Sequence, residues 1–232
     1  LKSALDDLQE LCELAAIAVE RAQRMELLER RMHETDILSR LAQGVNVTPA
    51  FDDMLELIYA QARQAIPCDD FHITLINPIT QTPYHAFCLE DNERIQGKEN
   101  QPLAVNACLE YAVIRSQHAL QTEDYHQECL DRSIMPDNQW LYAWMGVPLN
   151  AGAKTIGAIS MGSREPLQSY NQEQLRLLQS VADLAAGAIV KAQLIHETEQ
   201  RARQLTTLNE ISRSLTSTLE IKPLLQDRKS VV

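Results

Sequence analysis

Three strand-like segments set polar side chains between apolar ones at a spacing that could gather them. In Phe71–Asn77, His72 and Thr74 alternate with Phe71, Ile73 and Leu75. A strand sends successive side chains to opposite faces, so this spacing separates an apolar face from one bearing imidazole and hydroxyl groups. Tyr84–Leu89 adds Cys88 to the polar face and Phe87 and Leu89 to the apolar one. Thr155–Met161 adds Ser160 opposite Ile159 and Met161, and Trp144–Leu149 places Trp144 with the polar set against Met145, Val147 and Leu149. Imidazole, thiol and hydroxyl beside an indole suit recognition of a small ligand. The same groups also suit a partly solvated sheet face. A second collection, Tyr125, His126 and Cys129 followed by Trp140 and Trp144, lies in or beside the polar stretch 123–139 and holds both tryptophans of the chain. It reads as a lid over the ligand, or as core filling under a long loop.

Other chemistries fail at their spacing. Five cysteines stand apart at 12, 68, 88, 108 and 129. An odd count without close pairs argues against a disulfide framework and a zinc ribbon, and fits a reducing cytoplasm. His33-Glu34 and His196-Glu197 open like a zinc-protease helix, but Ile37 and Gln200 stand where the second histidine is required. No local spacing marks metal ligands. Gly152-Ala153-Lys154-Thr155 lacks the Gly-Lys pair of a phosphate loop. No Ser/His/Asp signature is present, so no catalytic residues are assigned and the chain is expected not to be an enzyme.

Elements must hold these residues in place. Residues 4–32 carry a seam of Leu8, Leu11, Ala15, Ala18, Ala22, Met25 and Met32, which predicts a long helix. Residues 172–214 repeat it with Leu178, Val181, Ala185, Ala188, Ala192 and Ile195, and Asn171 with Gln174 predicts a capping box at its start. A helix of about 40 residues spans roughly 60 Å, more than one small domain can cover, so it must pair or run between modules. Thr48 as N-cap, Pro49 and two aspartates predict a helix from Pro49 to Ile66. Residues 103–116 read as a helix and 118–122 as a short strand. Asn150–Lys154 reads as a hairpin loop between two strands.

The two ends of the chain resemble each other. LQELCELAAIAVERAQ (8–23) recurs as LQSVADLAAGAIVKAQ (178–193), an offset of 170 that persists without a gap to Leu55 and Leu225. That period is domain-sized and predicts modules in tandem. The chain begins Leu1-Lys2-Ser3, without an initiator methionine or a basic and apolar leader, and reads as a piece of a longer protein. Its net charge of −11 disfavours nucleic acid. No uninterrupted apolar run approaches the ~20 residues of a bilayer span. A cytoplasmic protein without membrane contact is expected.

The element order and two segments, MGVPLNAGAKTIGAISMGS (145–163) and SYNQEQLRLLQSVADLAAGAIVKAQ (169–193), resemble the GAF domain, a small-molecule sensor module of signalling proteins. LNEISRSLTSTLEIKPLL (208–225) resembles the entry to another such module. The resemblance implies an α+β fold, with an antiparallel sheet, helices on both faces, and long helices at both ends. It divides the chain into the closing helix of a preceding module (1–35), a GAF domain (36–193), and a linker helix with the start of a following module (194–232). It implies that the 103–116 helix and the lid roof the polar face, leaving a pocket lined by His72, Thr74, Cys88, Tyr125, His126, Cys129, Trp140, Trp144 and Ser160. The implied function is sensory: an unidentified small molecule binds, no cofactor is assigned, and terminal helices transmit the change through a homodimer to an output domain such as a histidine kinase. Gly162-Ser163-Arg164 departs from the Asn-Lys pattern of cyclic-nucleotide binders. Cys129 is followed by Leu130 and not by the His of bilin binders. Two rival readings remain. One is a ligand-free dimerising spacer. The other is a reductase of free methionine sulfoxide using Cys88, Cys108 and Cys129, although Ala143-Trp144 stands where that family has Ser-Glu.

Overall fold

A computed structural model describes the backbone of residues 2–47, 50–104, 108–136 and 138–227. Side chains are described over the same ranges except 2–15, 30, 45–47, 196–197, 199–200 and 209–227. The predicted cap Thr48-Pro49 lies outside the described residues, as do the side chains of Leu8, Leu11 and Ala15. The chain divides into two compact units, Leu1–Ala188 and Ile189–Val232.

The first helix, α1 (Lys2–Val47), runs well past the predicted end at residue 32. Between Met32 and Val47 there is no proline, and the one glycine, Gly44, has a packing reason: a Cβ there would overlap the side chain of Leu57 in the next helix. Ile37 and Leu41 of this added stretch are fully buried, so it belongs to the domain. Helix α2 (Phe51–Ala65) turns Met54, Leu55, Ile58 and Ala62 inward, with Asp52 and Asp53 in its first turn where the helix dipole favours negative charge.

Six strands form one antiparallel sheet in the order β3-β2-β1-β6-β5-β4. They are β1 (Asp70–Ile76), β2 (Pro83–Glu90), β3 (Glu93–Arg94), β4 (Leu120–Thr122), β5 (Ala143–Ala151) and β6 (Lys154–Ser163). The β5–β6 hairpin turns at Gly152, whose φ of 66° suits glycine. Phe71 lies opposite Leu89 and Met161, and Ile73 opposite Phe87 and Ile159. This apolar face is the predicted one, and all of its members are buried. Tyr59 of α2 sits on it, with ring centroids 5.2 Å from Phe71 and 5.5 Å from Phe87.

The opposite face is roofed by α3 (Leu109–Ser116) and α4 (Tyr125–Asp131). Helix α3 begins six residues later than predicted, because Pro102 bridges Tyr84 and the Leu103 amide donates to Pro83 O at 2.7 Å, holding this segment against β2. Helix α4 lies within the stretch expected to be irregular. Asp124 caps it, accepting from the Gln127 amide at 3.0 Å. The short strand β3 and a single 3-10 turn (Gln96–Lys98) also went unpredicted. Two and three residues carry too little periodicity to read.

Helix α5 (Gln172–Asp227) opens with the predicted capping box: the Asn171 amide donates to Gln174 Oε1 at 2.9 Å, and the Gln174 amide donates to Asn171 Oδ1 at 2.8 Å. By length and composition Gln172–Ile195 is apolar enough to cross a membrane, where sequence reading found no such run. In the fold, its Leu178, Val181, Ala182, Ala185 and Ala186 are fully buried within the first unit, which accounts for part of that apolar surface. Beyond Ala188 the helix leaves Leu194, Ile195, Leu205 and Leu208 exposed.

Candidate functional site

Strand pairing collects the polar residues of the roofed face. His72 lies opposite both Cys88 and Ser160, and Thr74 opposite His85. Strict alternation from Phe87 sends His85 to the apolar face. A bulge in β2 intervenes: Ile73 pairs with Phe87 but Thr74 pairs with His85, so Ala86 is the extra residue and His85 is turned under the roof. The His72 and His85 rings lie with centroids 4.7 Å apart, tilted by 38°. Thr74 Oγ1 and His85 Nδ1 share a hydrogen bond of 3.0 Å.

From above, α3 contributes Glu110, a carboxylate only 4% exposed. Ser160 Oγ donates to Glu110 Oε1 at 2.6 Å, and His72 Nδ1 lies 3.2 Å from the same oxygen. Burial pushes this carboxyl up, but the His72 hydrogen bond and charge, with His85 and Ser160, hold it well below the usual carboxylate range. An ionised carboxylate only accepts, so the proton in the His72 contact sits on Nδ1. Burial also opposes charge on His72, yet the Cys88 thiol and Glu110 raise its pKa well above the histidine range. His85 is driven the other way, down to about 4, by burial first and then by the positive charge of His72.

At the rim, Glu90 ends β2. Its Oε1 lies 3.7 Å from Cys88 Sγ and 3.9 Å from His72 Nε2. Lys98 Nζ donates to both Glu90 oxygens, at 2.6 and 2.8 Å. Burial raises the Glu90 pKa, but Lys98 outweighs it and the net direction is down. The Cys88 amide donates to Glu99 Oε1, and Arg94 donates from Nε to the same oxygen at 2.8 Å and from a terminal nitrogen to Oε2 at 3.0 Å. Backbone and side chains around Cys88 are therefore fixed by a second ring of hydrogen bonds.

The other predicted site residues lie elsewhere. Trp144, Tyr125 and Cys129 are buried with Leu109, Val113, Ile134 and Leu141 in an apolar cluster beside the polar one. His126 is half-buried, its ring edge-on to Tyr125 at 5.8 Å. Trp140 is 66% exposed, its amide held by Asn138 Oδ1, and does not join the cluster. Sequence reasoning missed His85, Glu90 and Glu110. The β2 bulge has no local sequence signal, and a glutamate on a helix reads as solvent-facing by default. A separate cleft of about 540 Å³, lined by Arg115, Arg132 and Ser133 among others, lies between α3 and the turn after α4. Ile134 of the apolar cluster lines it, and none of the polar-face residues does.

These elements define an α+β module with one six-stranded antiparallel sheet. The GAF domain family model matches residues 48–190, and the chain belongs to that family. Over 72 residues it is 40% identical to the anaerobic nitric oxide reductase transcription regulator NorR of Citrobacter koseri; that stretch is 29% of this chain and 14% of the regulator. The fold is similar to the GAF domain of a phosphoenolpyruvate-protein phosphotransferase from Coxiella burnetii, with a TM-score of 0.61 at 15% identity, covering 72% of this chain and 98% of that one. It is also similar to free methionine-R-sulfoxide reductase from Neisseria meningitidis, with a TM-score of 0.53 at 12% identity, covering 70% and 91%. Family and relatives support a sensory or regulatory module, on a scaffold that in other proteins also carries an enzyme.

Proposed function

We propose that this chain is the sensory segment of a cytoplasmic multidomain signalling protein, built from 36–193 as the ligand-binding module with parts of neighbouring modules at 1–35 and 194–232. The ligand meets His72, Thr74, Cys88 and Ser160, with His85, Glu90 and Glu110 completing the set and Trp144, Tyr125 and Cys129 forming the apolar wall. The carrying observation is the gathering of these polar groups on one roofed sheet face while the other face is lined mainly by buried apolar side chains. Burying them costs stability relative to an apolar core, and a site is a reason to retain them. His126 and Trp140 stay outside this reading.

A ligand shifts a signalling equilibrium only if it binds one state better than the other. Binding beneath α3 would move the roof relative to the sheet. The helices that carry the change onward expose apolar side chains: Ile17, Val19, Met25 and Met32 on α1, and Ile195, Leu205 and Leu208 on α5. This supports pairing of terminal helices in a homodimer. Native mass spectrometry with an absorbance spectrum of the purified chain tests both parts, expecting a dimer with bound mass. Ile195→Glu with Leu208→Glu should weaken association in sedimentation equilibrium. A parent chain that stays monomeric at hundreds of micromolar would defeat the dimer. Absence of any bound or bindable molecule would favour the spacer, and turnover of free methionine sulfoxide the reductase.

A further inference from the structure

Two buried side-chain atoms among the described residues make no geometric hydrogen bond, Gln61 Oε1 and His72 Nε2, although the Cys88 thiol lies close enough to His72 to raise its pKa. Leaving such an atom unsatisfied forfeits the hydrogen bond it would make to water. The surroundings of His72 Nε2 suggest a purpose. His72, Cys88 and Glu90 each bring one ligand atom, and these lie within 4.8 Å of one another. Around a tetrahedral metal with bonds of about 2.0–2.3 Å, neighbouring donor atoms stand roughly 3.3–3.8 Å apart. The observed 3.7 Å from sulfur to Glu90 Oε1 and 3.9 Å from Nε2 to the same oxygen are close to that spacing.

The far side of the imidazole is arranged to match. Metal-binding histidines donate their second ring N–H to a carboxylate or carbonyl, which fixes tautomer and orientation. Glu110 stands in that place on Nδ1, and is itself held by Ser160.

We infer that His72 Nε2, Cys88 Sγ and a Glu90 carboxylate oxygen bind a first-row divalent transition-metal ion. The inference rests on this cluster being the module's ligand site and names the class of ligand. Thiolate with imidazole selects zinc, cobalt or ferrous iron over magnesium or calcium. Three protein ligands leave a coordination position open for water or a further small molecule. Binding displaces protons from the histidine and the thiol. Lys98 competes with the ion for Glu90, and being half-exposed it can swing aside. Sequence spacing shows none of this, because the donors come from two strands and the supporting carboxylate from a helix.

The full chain, purified in chelator and titrated with cobalt(II), tests the inference. A thiolate-to-cobalt absorption band saturating at one ion per chain is expected, with zinc displacing the cobalt and magnesium leaving it untouched. Cys88→Ser should abolish the band, and Glu110→Gln should weaken affinity about 10–100-fold. Lys98→Ala, at the rim, should tighten binding by about fivefold, a gain no structural role of the lysine would produce. No band, or a band unchanged in Cys88→Ser, overturns the inference, since the four other cysteines would then hold the ion. Should Cys88→Ser fail to fold by circular dichroism, Glu90→Gln takes its place, and unchanged affinity there overturns it equally. Sedimentation of metal-free and cobalt-loaded chain tests the sensory reading separately: binding without any change in assembly or helix exposure would count against signalling and leave the metal site standing.

Discussion

The two faces of the sheet are buried to similar depth and built by opposite rules. On the apolar face, Phe71, Ile73, Leu75, Phe87, Leu89, Met145, Val147, Leu149, Ile159 and Met161 are at most 4% exposed, and none carries a polar side-chain group that needs a partner. Beneath α3, Thr74, His85, Glu110 and Ser160 are at most 6% exposed, and each side chain holds a hydrogen bond to a neighbour within the cluster. The first face draws its stability from area removed from water. The second needs its hydrogen bonds merely to offset desolvation, and leaves His72 Nε2 as the exception. One face therefore rests on apolar area and the other on hydrogen bonding.

The sharpest way to break this contrast is to remove an aromatic ring from the apolar face. Phe71→Ala leaves a cavity against Tyr59 and Phe87 and should cost ~3–5 kcal/mol in urea denaturation. On the polar face the effect should depend on what else is removed. Glu110→Ala strands His72 Nδ1 and Ser160 Oγ, and should cost about 1–3 kcal/mol for each group left unpaired. Replacing all three together, His72→Leu with Glu110→Leu and Ser160→Ala, should recover most of that loss or exceed the parent stability, because a buried charged set is often no more stable than an apolar core of similar volume. Equal losses in the single and triple variants would mean that the cluster is structural.

Smaller effects locate the boundary between the polar cluster and its apolar wall. Gly146 lies opposite Ser160, and a Cβ there would overlap the Trp144 ring. Gly146→Ala should therefore displace the indole and cost about 1–3 kcal/mol, visible as a shift in its fluorescence as well as in stability. The two tryptophans should differ most plainly. Trp144 is 2% exposed and Trp140 66%, so Trp140→Ala should change stability by no more than about 0.5 kcal/mol. A larger loss would show that Trp140 is covered in the assembled protein.

The repeated helices show how one sequence pattern is put to different uses. Ala186 and Ala188 are buried, at 0% and 5%. Their counterparts 170 residues earlier, Ala16 and Ala18, are exposed. The stripe of α5 covers its own domain up to Ala188, whereas the matching part of α1 precedes Ile37, the first residue of α1 found buried among its described side chains. Periodicity states that a helix has an apolar side; it does not state what that side meets.

By itself the sequence determined the alternating strands, their apolar face and the capping box at Asn171. Each is decided by residues adjacent in the chain: a period of two sorts a strand's faces, and a capping box closes within four residues. Four members of the polar face, His72, Thr74, Cys88 and Ser160, were legible for the same reason. Only the tertiary structure decided that His85 joins them, because a bulge is a relation between two strands. It alone brought Glu110 across from α3 and Glu90 beside the thiol, and it separated Trp140 from Trp144. Those outcomes depend on which surfaces meet when the roof closes on the sheet, and burial and hydrogen-bond satisfaction are properties of that meeting, not of any one segment.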